Sequence, residues 1–371
     1  MEKPVIILGG GIWGCLLALR LKEKLPHVPF KLYEDSSSLE NNEVFTFLES
    51  DCKKSMSWLR PLITHSWKMY NVKGRGFDRW IKEPVHHIES GKLHDYILEK
   101  LDSANIKLNN MMTPEFALPE GAFVIDVRSQ CYFENSGFKK NLVLEVEVMD
   151  EHHLIAPVLH DGNLSVKGHG RQLSYFPLDK KRLLITDSWY SENRLLNLHE
   201  MRNEVLEVMS VKGWKLEKVI RESTYVSEIP LSPPAINEER YVINLRGLFH
   251  DMTGSSISMA SELIEQMVNT SFRYGELKEV VRNFRREKEI DRQFLRFLNR
   301  LLIKQKQHQV FDIIYKQNFS LIERYSRGQV KAVDRYRILA GKSNYEVGHL
   351  LKSLKLSNVF TLTRMSNSSA S

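Results

Sequence analysis

Near its start the chain reads Val5-Ile6-Ile7-Leu8, then Gly9-Gly10-Gly11-Ile12-Trp13-Gly14, then the apolar run Cys15-Leu16-Leu17-Ala18-Leu19-Arg20-Leu21. The first four residues predict a buried strand and the last run a helix. Gly9, Gly11 and Gly14 fit the G-x-G-x-x-G spacing. The first allows the tight turn, the second admits a pyrophosphate close to the backbone, and the third lets helix and strand pack together. The N–H groups opening the helix then face the phosphates. Glycine turns are common, but here the context agrees. Phe30-Lys31-Leu32-Tyr33 predicts a second strand, and Glu34 follows about twenty residues beyond the last glycine, where a ribose hydroxyl partner is expected. The pattern therefore predicts a dinucleotide-binding unit, and its place at the start of the chain associates it with FAD rather than NAD.

A chain of 371 residues suggests two domains. The net charge of +7 is a mild excess, suited to a phosphate-bearing partner: nucleic acid, an anionic lipid surface or a phosphorylated cofactor. Cys15, Cys52 and Cys131 form no pairing pattern, which argues against a secreted disulfide scaffold. The apolar run 5–8 is too short for a signal peptide or a membrane span. The expected location is cytoplasmic, with any membrane contact peripheral, on the inner face.

Further along, 121–126 predicts a strand that ends in Asp126 and returns to the nucleotide sheet. Residues 142–148 partly alternate, as a half-buried antiparallel strand does. Stretches 173–178 and 182–187 predict strands joined by an Asp179-Lys180-Lys181 turn. Residues 198–213 have helical period, and 220–229 returns to strand. Residues 241–254 predict a strand and a glycine-bearing turn, followed by a helix over 257–270. The region 276–355 is helical and basic. In it Phe294, Phe297, Leu298, Leu301 and Leu302 form one stripe, and Arg292, Arg296 and Arg300 another. The expected fold is α/β, a Rossmann-type FAD-binding domain with an inserted antiparallel-sheet substrate domain and a C-terminal helical cap. The nucleotide domain takes 1–75, 95–135 and 236–275, and the substrate domain 76–94 and 136–235. The helical region spans 276–360, and 361–371 is a disordered tail.

Several stretches, in order, resemble the bacterial FAD-dependent lycopene cyclases. They are Leu8-Gly9-Gly10-Gly11, Pro61-Leu62-Ile63-Thr64-His65-Ser66-Trp67, Pro157-Val158-Leu159-His160-Asp161 and Tyr175-Phe176-Pro177-Leu178. The series continues with Arg182-Leu183-Leu184-Ile185-Thr186-Asp187-Ser188-Trp189-Tyr190, Gly247-Leu248-Phe249-His250, Phe294-Leu295-Arg296-Phe297-Leu298-Asn299-Arg300 and 334–342. Each block is weak alone; the ordered set, over about residues 4 to 355, is specific. The resemblance implies a non-redox use of reduced FAD. The end of a linear carotenoid is protonated and closes through a carbocation, and a proton then leaves. That chemistry needs a carboxylic acid in an apolar pocket and an electron-rich face to stabilise the cation. NAD(P)H is a candidate source of the reducing electrons.

In the family a Glu-Asp pair follows the Leu-Leu-Ile strand, and the glutamate is held to be essential. Here Thr186 takes its place and only Asp187 is kept. A hydroxyl cannot protonate an alkene, so Asp187 is either the replacement acid or a structural one. Adjacent strand residues face opposite ways, which counts against a simple exchange. Glu43, Glu145 and Glu147 are alternative acids, each with a solvated-charge reading beside it. The resemblance carries cofactor roles onto Asp126, Arg128, Gly247, Thr253 and Gly254. It also makes His250 a candidate for contact with flavin or cation, or else a turn histidine. Trp67 and Phe176 either line a polyene tunnel or belong to the core. His86-His87 lacks a third ligand, so no metal is expected. The basic helices lack a DNA-binding pattern, which leaves a membrane surface or plain solvated faces. A related enzyme on another isoprenoid, or an inactive polyene-binding relative, are the rival readings.

Overall fold

The computed structural model describes residues 4–39, 44–110, 121–128, 132–164, 170–235, 239–304 and 309–341. Glu43 and the expected tail at 361–371 lie outside the described residues.

The strand Val5–Leu8 is apolar throughout and mostly β-branched, as suits a strand covered on both faces. It lies between Phe30–Tyr33 and Phe123–Asp126, parallel to both. Val242–Asn244 and Ile106–Lys107 complete a five-stranded parallel sheet with Val5–Leu8 at its centre. The chain leaves that strand through Gly9, whose φ of +107° favours glycine, and enters the helix Ile12–Lys24. A Cβ on Gly14 would lie 1.9 Å from the Gly9 carbonyl oxygen; only glycine lets helix and strand meet so closely. Leu16, Leu17 and Leu21 of this helix share a core with Ile88, Leu93 and Ile97 and with Leu263 and Ile264 of the helix Ile257–Val268.

The second sheet has seven strands. Leu216–Pro230 forms one edge, and the long strand Ser136–Val148 lies between it and Arg182–Ser191. The expected turn at 179–181 joins Gly170–Pro177 to Arg182–Ser191 as a hairpin. The sheet is antiparallel except where Val158–Asp161 runs parallel to Tyr70–Gly74. One face carries Leu142, Leu144, Leu173 and Ile185 and is covered by Met201, Val205 and Val208 of the helix Leu198–Val211. The other carries Asn141, Val143, Ser174 and Thr186 and looks toward a small sheet of Val44–Leu48, Val85–Glu89 and His65–Trp67.

The helix Tyr274–Ile303 joins the two units. Its first half gives Leu277, Val281 and Phe284 to the nucleotide core; its second half gives Leu295, Leu298, Leu301 and Leu302 to a core beside the second sheet. Two members of the expected surface arginine stripe point the other way. Arg292 and Arg296 are buried, and both bind the Asp251 carboxylate at distances down to 2.6 Å and 3.0 Å. They answer a charge arriving from the turn at 247–254, so neither is a solvated or lipid-facing group. Arg300 is exposed, as expected. Among the described residues no helix is long and apolar enough to cross a membrane.

Candidate functional site

The site has a nucleotide end and a cavity. At the first, Glu34 ends its strand beside the glycine turn. One carboxylate oxygen accepts the Gly10 N–H and the other the Ser36 N–H at 3.1 Å. Partial burial, more than any other influence, raises its pKa above the ordinary value. The helix Ile12–Lys24 has Gly11 at its N-cap, no side chain capping it and no acid in its first turn. Its opening N–H groups are therefore left for an anion. Asp126 is buried at the end of its strand and held by Arg128 at 2.9 and 2.6 Å and by Arg246 at 2.8 Å. The Arg128 backbone N would lie 3.2 Å from a Cβ on Gly9, so the ion pair lies against the glycine turn. Glycine turn, free N–H groups and Glu34 together form a donor and acceptor set that fits a dinucleotide's pyrophosphate and ribose.

The cavity, of about 250 Å³, lies between the seven-stranded sheet and the small three-stranded one. Phe45, Phe47 and Leu48 form one wall and Val143, Phe176 and Thr186 another. The turn residues Thr253 and Gly254 and the start of the helix Ile257–Val268 close one end. Tyr315, Ile322, Tyr325 and Ser326, from the C-terminal helices, line it as well.

Thr186 and Asp187 part company here. Thr186 faces the cavity. Asp187 lies on the opposite face, fully buried, and accepts Arg171 Nε at 2.9 Å, Arg171 Nη2 at 2.7 Å and Trp189 Nε1 at 3.0 Å. It is an ion-paired core group without access to the cavity. Glu145 and Glu147 are likewise spent, on Arg182 and Lys218.

His250 is buried, with both ring nitrogens engaged. Nε2 donates to the Tyr325 carbonyl at 2.9 Å, while Nδ1 accepts the Thr253 N–H at 3.2 Å and hydroxyl at 3.0 Å. Burial pushes it down to about 4, so it is neutral at physiological pH and pins the turn to the helix Phe319–Ser326. Gly247 and Gly254 both adopt positive φ, at +71° and +77°, which shapes this turn. Lys139 Nζ donates to the Thr253 carbonyl at 2.7 Å. Phe176 lines the cavity, and Trp67 stands behind it, 6.0 Å between ring centroids, with its indole N–H on the Pro177 carbonyl at 3.2 Å. His86 binds Glu49 at 3.1 Å, and no three ligand-type residues converge among those described.

Sequence reading passed over Asp51. It sits in the one-turn helix Glu49–Cys52, with its side chain 7 % exposed, and it is the single carboxylic acid on the described cavity wall. Oδ1 accepts the Ser326 hydroxyl at 2.9 Å, and Arg327 Nε lies 3.6 Å away. Loss of solvent outweighs both partners and pushes the carboxyl up to about 7.

The profile of the lycopene cyclase protein family matches residues 4–347. The chain is 27% identical over 361 residues to a lycopene beta-cyclase from Pantoea ananas, covering 91% of this chain and 94% of that one. It is 26% identical over 375 residues to a lycopene beta-cyclase from Pseudescherichia vulneris, covering 93% and 95%. Among solved structures, a flavoprotein/dehydrogenase from Cytophaga hutchinsonii superposes with a TM-score of 0.61 at 9% identity, over 96% of this chain and all of that one. A geranylgeranyl bacteriochlorophyll reductase-like protein from Thermoplasma acidophilum gives 0.60 at 12% identity, over 95% and 100%; both likenesses are of fold alone. With a family profile matched along nearly its whole length, the chain belongs to the lycopene cyclase family.

Proposed function

We propose that this protein binds FAD and cyclises the end of a linear carotenoid by proton-initiated, non-redox chemistry with the flavin reduced. The observation that carries the reading is the cavity: Phe45, Phe47, Leu48, Val143, Phe176 and the buried tyrosines supply apolar and aromatic surface beside polar residues of the sheet such as Asn141, Gln172 and Ser174, and the 253–257 turn of a dinucleotide-binding fold lines one end. The names of the curated relatives point the same way.

Glu34 and the N–H groups opening the helix Ile12–Lys24 would hold the ribose and pyrophosphate, with Arg128 beside them. A reduced flavin supplies an electron-rich face for a developing cation. The protein's own contributions are shape and dryness. Phe45, Phe47, Val143 and Phe176 would shield a cation that water would quench, and Thr186 faces the same space. The rival, an FAD enzyme oxidising or reducing another isoprenoid, draws its support from Thr186, which cannot donate the required proton.

The test is expression in a bacterial host that accumulates lycopene, with the pigments separated by chromatography. The proposal expects β- or γ-carotene. Unchanged lycopene in cells that yield soluble, flavin-loaded protein contradicts it.

A further inference from the structure

We propose that Asp51 is the proton donor of this enzyme, acting from an aromatic recess built by the C-terminal helices and replacing the acid absent at Thr186. The inference rests on the cyclase reading above. Its basis is position. A proton-initiated cyclisation needs one neutral acid facing the substrate, and Asp51 is the only carboxylic acid on the described wall. Tyr70, Tyr315 and Tyr325 line the same cavity and are themselves buried. The charge of an ionised Asp51 would weigh on Tyr70 and Tyr315. Burial is the main cause that raises both phenols; the Asp51 charge comes next for Tyr315, pushed up to about 12, and after Tyr315 for Tyr70, so neither competes as the acid. Their rings instead offer π faces to a cation formed nearby.

The groups packed around the carboxyl tune it in opposite directions. Desolvation and Glu83 favour the neutral acid; Ser326, Arg327 and the Leu48 backbone N–H favour the carboxylate. Arg327 is divided, since its Nη2 also binds Glu323 at 2.7 Å. Ser326 and Arg327 both address Oδ1, and the transferable proton is assigned to the other oxygen, Oδ2. In the step, the Oδ2–H bond breaks as a C–H bond forms at the terminal alkene carbon, which leaves a tertiary cation. A second double bond of the chain closes the ring on that cation. A C–H bond next to the new cationic carbon then breaks, its electrons make the ring double bond, and the Asp51 carboxylate takes the proton back. The sum is an isomerisation that needs no oxidant or reductant.

Asp51→Asn keeps the shape and the Ser326 bond but cannot donate to an alkene. It is expected to cut cyclised carotenoid by roughly 100-fold or more, the scale of a lost general acid, with the flavin absorbance per chain unchanged. Adding Thr186→Glu to Asp51→Asn should restore part of the lost product. Because the acid must be protonated, wild-type turnover should fall as pH rises through about 7. Ser326→Ala removes a bond that favours the carboxylate, so this limb should move to higher pH, a shift that a purely structural role does not produce. Wild-type turnover in Asp51→Asn, or an unmoved limb in Ser326→Ala, overturns the donor while leaving the cyclase reading standing. A flavin-loaded wild-type chain that makes no cyclic product overturns both.

Discussion

A carboxyl that stays neutral up to about 7 is a burden on the folded state. Its folded pKa lies above the unfolded value, so the native state binds more protons between pH 4 and 7 and loses stability as pH rises through that window. The separation from the ordinary aspartate value of 3.8 is about three pH units, or about 4 kcal/mol at full ionisation. Asp51→Asn should therefore be more stable than the parent at pH 8 in urea unfolding, with the gap closing toward pH 4. Equal stability at both pH values would mean that the carboxyl is solvated. Sequence showed half of this site. The alternation that puts Thr186 and Asp187 on opposite faces follows from strand geometry alone. Asp51 was hidden because no local pattern marks it, and what encloses it, Ser326 and Tyr325, comes from the far end of the chain.

Among the elements, the glycine turn and the turn at 247–254 set the geometry of the nucleotide end and of one end of the cavity. Gly14→Ala places a methyl group inside the Gly9 carbonyl, and relieving that overlap costs about 1–3 kcal/mol. Flavin retained per chain after gel filtration should drop at least about tenfold, the equivalent of about 1.4 kcal/mol. Retention at the parent level would show that the turn does not hold the cofactor. His250→Leu strands the Tyr325 carbonyl and the Thr253 N–H, and should cost about 1–3 kcal/mol at pH 7. Because the folded pKa of His250 is depressed to about 4, its contribution is full above the unfolded value of 6.5 and fades as pH falls toward 4. The difference between parent and variant, measured by denaturant midpoints, should shrink with it. The glycine turn was legible because its signal is local. The three-stranded sheet of Val44–Leu48, Val85–Glu89 and His65–Trp67 was not, because its strands are short, partly polar and paired over long separations.

For the whole molecule, the helix Tyr274–Ile303 couples the two units through one buried cluster. Asp251 receives Arg292 and Arg296, Arg292 also reaches the Gly247 carbonyl at 2.6 Å, and Asn299 ties the Asp251 carbonyl to that of Pro230. The helical period announced the apolar stripe correctly. It could not show that the arginines beside it turn inward, because their partner lies in a turn some forty residues upstream. Arg292→Met leaves Asp251 short of a partner in the interior and should cost about 3–5 kcal/mol, as breaking a buried ion pair does; thermal unfolding followed by flavin release checks it. The central claim is cyclisation started by a proton, with no net redox change. Its most direct test is purified protein with reduced FAD and lycopene in liposomes, run anaerobically in D2O. The account predicts a cyclic carotenoid carrying one solvent deuterium for each ring closed, with the flavin still reduced at the end. Flavin oxidised in proportion to product, or a ring closed without solvent deuterium, would contradict it.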